Sequence, residues 1–88
     1  MQKAQEKDLI NLINNSSKLI GTRQVLKAII NGTITKVIVA NNIDTELFNK
    51  IKGECTNHNI PMVRAFTKYD LGKLCHLSVD CAVVGIVK

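Results

Sequence analysis

Apolar positions along the chain alternate between helical and extended spacing. Leu9, Ile10, Leu12 and Ile13 recur at helical spacing within residues 4–15, and Asn14-Asn15-Ser16-Ser17 breaks the pattern, so a first helix is expected there. Lys18-Leu19-Ile20 is a short extended piece ending at Gly21. Beyond it, Val25, Leu26, Ile29 and Ile30 form the apolar stripe of a second helix, which Asn31-Gly32 closes in the usual way of a helix C-terminus. Lys36-Val37-Ile38-Val39-Ala40 is β-branched and almost continuously apolar, as befits a central strand covered on both faces.

Asp44, with Thr45 and Glu46 behind it, suits the cap and first turn of a third helix, whose Leu47, Ile51 and Cys55 share one face. That helix should end at Asn57-His58-Asn59. Ile60 to Phe66 reads as a strand, with Pro61 tolerable at its start. Thr67 and Asp70 resemble a capping box ahead of a short helix bearing Leu71, Leu74 and Cys75, and Ala82 to Val87 supplies the last strand. The order α, β, α, β, α, β, α, β predicts a three-layer α/β/α sandwich around one four-stranded mixed sheet.

At 88 residues the chain is expected to form a single domain, residues 1–88, because halves of it would be too small to hold a core. Hydrophobic residues make up 45% and charged residues 22%, which excludes a disordered or fibrous class. The polar start Met1-Gln2-Lys3-Ala4-Gln5-Glu6-Lys7-Asp8 does not lead into an apolar export segment, and no apolar run approaches membrane-spanning length. A soluble, cytoplasmic protein that makes no use of a membrane is the expectation. Cys55, Cys75 and Cys81 are an odd number of cysteines without such a leader, which favours reduced thiols in the core.

Charge changes the picture more. Twelve Lys and Arg against seven Asp and Glu leave a net charge of +5, which suits a polyanionic partner. Phe48, Phe66 and Tyr69 are the sole aromatics, too few for a base-stacking platform once the core is filled. No nucleophile elbow surrounds Ser16, Ser17, Ser78 or the cysteines, and the five glycines match no phosphate-cradling motif, so neither an enzyme nor a nucleotide cofactor is indicated. Cys55 and His58 have C-x-x-H spacing, but no second short-spaced pair completes a zinc site with Cys75, His76 or Cys81. No metal is expected.

The sharper constellation is Ile20-Gly21-Thr22-Arg23-Gln24-Val25-Leu26-Lys27 at the start of the second helix. Backbone N–H groups there have no intrahelical partner, and the positive end of the helix dipole faces outward. Gly21 permits close approach to the backbone, Arg23 and Lys27 put two cations one turn apart, Gln24 offers donor and acceptor, and Thr22 a hydroxyl. An ordinary solvated helix start fits the same residues, and composition alone favours that plainer account.

Three stretches carry a resemblance. Gly21-Thr22-Arg23-Gln24-Val25-Leu26-Lys27-Ala28 with Gly32, then Lys36-Val37-Ile38-Val39-Ala40-Asn41-Asn42-Ile43-Asp44, and then Ile60-Pro61 with Thr67-Lys68-Tyr69-Asp70-Leu71-Gly72 and Leu77-Ser78-Val79-Asp80-Cys81-Ala82 resemble the kink-turn-binding ribosomal proteins of the seven-Ae family, above all its small bacterial members. The likeness covers almost the whole chain. It implies an α/β/α sandwich without cofactor or catalysis that binds a kink-turn, a duplex bent at a short bulge beside tandem sheared G·A pairs.

By position, Arg23 and Gln24 stand where many members carry Asn-Glu. The resemblance therefore sets them against the sheared pairs, with Lys27 and the Gly21-Thr22 backbone on phosphates and Asn41 close to the same surface. Leu77, Ser78 and Val79 fall in the loop that would pack on the extruded nucleotide, Val79 foremost. Departures are Gln24 in place of an acidic residue, Ile20 where archaeal members often have Lys, His76 in place of a frequent Gly, and the negative Asp80 in the loop. The implied partner is a structured RNA, whether rRNA, riboswitch or another transcript, and a ribosome is a further candidate. The protein itself is expected to act as a monomer. Two alternatives stay open: a ribosomal structural protein fixed on rRNA, and a protein-interaction module on the same fold without RNA binding.

Overall fold

The computed structural model describes residues 2–88, with side chains from Lys7 onward. Its elements follow the expected order: α1 (Gln2–Asn15), β1 (Lys18–Ile20), α2 (Thr22–Asn31), β2 (Ile34–Val39), α3 (Thr45–Asn57), β3 (Met62–Arg64), α4 (Lys68–Leu74) and β4 (Val83–Val87). The four strands form one mixed sheet in the order β1-β4-β2-β3. β4 runs antiparallel to both β1 and β2, whereas β2 and β3 are parallel.

Strand side chains alternate between the two faces, which explains the unbroken apolar run of β2. Val37 and Val39 pack with Val25, Ala28 and Ile29 of α2 and with Ile51 and Cys55 of α3. Ile38 and Ala40 pack on the other side with Leu9 and Ile13 of α1 and with Leu71 and Cys75 of α4. The result is the three-layer sandwich with one four-stranded mixed sheet that the pattern predicts.

Four local expectations change. Ile30 is 60% exposed, because it lies about 140° around the helix from Val25, and the buried stripe of α2 is Val25, Ala28 and Ile29. β3 is shorter than Ile60 to Phe66: Pro61 has no N–H to donate, and Phe66 turns out of the extended region at φ +68°. Asp44 holds the N-cap position of α3 but makes no capping hydrogen bond, so the favourable charge at that helix start comes from Glu46 in the first turn. Leu77 is half-buried against the α1 and α4 cluster and is not an outward residue of its loop.

The thiols are free and buried. Cys55 sits in the layer of α2 and α3 and Cys75 and Cys81 in the other, so the sheet separates them, while His58 is exposed. Burial pushes the Cys75 thiol up to about 11, with the adjacent Cys81 adding to the shift, and burial raises Cys55 and Cys81 as well. All three are protonated at neutral pH and behave as small core groups. No described helix is long and apolar enough to cross a membrane.

Candidate nucleic-acid interface

Strand direction decides where the functional segments meet. β1, β2 and β3 all run toward the edge of the sheet from which β4 departs, as the pairs Ile20 with Val84, Val39 with Val83 and Val39 with Arg64 require. Gly21, Asn41 and the segment after Arg64 therefore leave the sheet at the end where Cys81-Ala82 enters it. Backbone hydrogen bonds lace these segments together: Gly21 N–H donates to Val83 O at 3.3 Å, Ala40 to Ala82 at 2.9 Å, Asn41 to Phe66 at 2.8 Å and Cys81 to Lys68 at 3.0 Å. Candidate residues more than fifty positions apart in the chain thus share one surface.

The start of α2 is open. Gly21 is its N-cap at φ +99°, a conformation that L side chains rarely adopt, and no side chain caps the helix. Val25 makes the first bond of the helix, to Gly21 O at 3.0 Å, which leaves the N–H groups of Thr22, Arg23 and Gln24 ahead of it without an intrahelical acceptor. The first turn holds no acidic residue. Arg23, Gln24 and Lys27 are all exposed and fall within an arc of about 100°, opposite the buried stripe. Thr22 is half-buried beside them. The three exposed side chains share a face, and none is covered by the rest of the molecule.

The loop before β4 is seated by a close approach. A Cβ on the buried Gly72 of α4 would overlap the carbonyl of Val79, so that position requires glycine. Val79, 68% exposed, is the loop's apolar side chain in solvent, flanked by the exposed Ser78 and Asp80. His76, which leads into the loop, adopts φ +60°, a backbone that explains why glycine suits that position. Asn41 is exposed in the turn after β2, and Asn42 Oδ1 accepts from the Lys68 N–H at 2.8 Å, tying that turn to the start of α4.

One cation escapes the sequence reading. Arg64, at the end of β3, places its guanidinium 4.3 Å over the Phe48 ring and donates from Nη2 to Asn41 O at 3.1 Å. No local signal marks it, because its partners Phe48 and Asn41 lie on other elements.

The sequence pattern of the ribosomal protein L7Ae/L30e/S12e/Gadd45 family matches residues 4–88. The chain belongs to that family. It is 33% identical over 70 residues to the RNA-binding protein YbxF of Geobacillus stearothermophilus, covering 80% of this chain and 85% of that one. It is 30% identical over 70 residues to the RNA-binding protein TTE2299 of Caldanaerobacter subterraneus subsp. tengcongensis, with the same shares of 80% and 85%. Among solved structures, the Giardia lamblia 15.5kD RNA binding protein superposes with a TM-score of 0.84 at 27% identity, covering 94% of this chain and 73% of that one. The Giardia protein thus shares the fold of this chain.

Proposed function

We propose that this protein binds kink-turn RNA through the N-terminus of α2 and stabilises the bent form, acting by binding and not by catalysis. The observation that carries the reading is the uncapped, acid-free start of α2, with Arg23, Gln24 and Lys27 exposed on one arc beside the Val79 loop at a single end of the sheet. RNA binding named for relatives across the family supports it. In this arrangement Gln24 and Arg23 meet the edges of the sheared G·A pairs. Lys27 and the Gly21-Thr22 backbone, through the free Thr22 amide, take phosphates, Asn41 borders the same surface, and Ser78 and Val79 face the extruded nucleotide, with Leu77 bracing the loop from below.

A kinked RNA exchanges between extended and bent forms, and a protein with affinity for the bent form alone draws the population toward it. Folding of the RNA is then the output. The protein acts in the cytoplasm as a monomer on a structured RNA, within or outside a ribosome, and requires no cofactor.

The test is a gel shift with a simple kink-turn duplex and a partner duplex whose tandem G·A pairs are replaced by Watson–Crick pairs, at two salt concentrations. The intact duplex is retained and the replaced one is not. Gln24→Ala weakens the intact complex by roughly 1–3 kcal/mol, with little effect on residual binding to the replaced duplex. Equal retention of both duplexes by the native protein contradicts the reading.

A further inference from the structure

Resting on that reading, we infer that Arg64 is a second anchor for the RNA, a prearranged cation that takes a backbone phosphate at the β3 corner of the interface, away from α2. The strand order puts β1 and β3 at opposite edges of the sheet, and with neighbouring strands about 4.8 Å apart Gly21 and Arg64 mark the corners of an edge about 14 Å across. Asn41 and the β4 entry lie between those corners. A double helix seated on the α2 mouth and the Val79 loop extends over this edge and brings its backbone to the β3 corner.

Arg64 is built to meet it. An exposed arginine ordinarily sweeps many rotamers and gives up that freedom when it binds. Here the guanidinium is already fixed twice, by stacking 4.3 Å over Phe48 of α3 and by the 3.1 Å hydrogen bond from Nη2 to Asn41 O. Fixing the group beforehand lowers the entropy lost on association. One of its five N–H groups is used on Asn41, and the side chain remains exposed, so the rest of the fork is available to solvent. A fork with donors and no acceptor pairs well with the oxygens of a phosphate.

The same hydrogen bond gives Arg64 a competing role, that of holding the turn at Asn41 in place. The two roles separate by salt dependence, because a lost phosphate contact removes released counterions whereas a loosened turn does not. Dissociation constants for the intact kink-turn duplex are measured across a series of salt concentrations for the native protein, Arg64→Met and Arg64→Lys, each checked for native circular dichroism. Arg64→Met keeps an apolar stem against Phe48 and removes the charge. Its binding is about tenfold weaker near 0.1 M salt, and the plot of log K against log salt is shallower by about one. Arg64→Lys keeps the native slope with a smaller loss of affinity.

An unchanged slope in Arg64→Met, whatever the affinity, overturns the phosphate contact while leaving the α2 reading intact. Failure of the native protein to bind the duplex overturns both.

Discussion

Two helices begin at the same end of the sheet and are finished in opposite ways. α4 starts closed: Thr67 Oγ1 accepts from the Asp70 N–H at 3.1 Å, Asn42 Oδ1 accepts from the Lys68 N–H at 2.8 Å, and Asp70 sets a negative charge in the first turn. α2 starts open, with a glycine that offers no capping side chain, no acid in its first turn and two exposed cations within one turn of each other. Where only stability is at stake, capping amides and placing a carboxylate near the dipole is favourable. Leaving both undone at α2 makes sense when an outside anion completes the helix.

Reversing that design at α2 has the largest expected effect. Arg23→Glu gives α2 an acidic first turn like that of α4. Affinity for kink-turn RNA falls on the order of 100-fold near 0.1 M salt, since the cation that meets the sheared pairs is replaced by an anion that the surrounding phosphates repel. Thermal stability holds or rises slightly, because a carboxylate near a helix N-terminus contributes about 0.3–1 kcal/mol. Binding titrations and melting curves on the same sample check both halves. A loss of stability in step with affinity places Arg23 in the fold and not in the interface.

The converse change at α4 is smaller and of the other kind. Thr67→Ala removes the cap and lowers stability by about 1 kcal/mol, or about 4–8 °C in melting temperature for a chain this size. RNA affinity at 25 °C stays within about twofold. A larger loss of affinity than of stability means the two helix starts are not separate in function.

Much of this contrast is written in local sequence. Thr67 and Asp70 signal their cap by spacing, Gly21 and Gly32 bracket α2, and the run Val37-Ile38-Val39 marks a strand buried on both faces. What local pattern cannot carry is pairing between distant segments. The order β1-β4-β2-β3 brings the last strand into the middle of the sheet, and from that follows the meeting of Gly21, Asn41 and Val79 at one edge.

Arg64 is invisible for the same reason. Its partners Phe48 and Asn41 lie on other elements, and only the parallel pairing of β2 with β3 unites them. Ile30 and Leu77 show the opposite failure. Both are apolar and near apolar neighbours in sequence, yet Ile30 faces water and Leu77 turns inward, because helical phase and the left-handed step at His76 set their direction.

The free amides at the mouth of α2 are observed directly in a titration of ¹⁵N-labelled protein with kink-turn RNA. The amide signals of Thr22, Arg23 and Gln24 move and become protected from exchange as RNA is added, those of Tyr69 and Asp70 at the capped start of α4 hold their positions, and RNA lacking the G·A pairs leaves both sets in place. Movement at α4 or on the far end of the sheet, with Thr22 to Gln24 unmoved, contradicts the account.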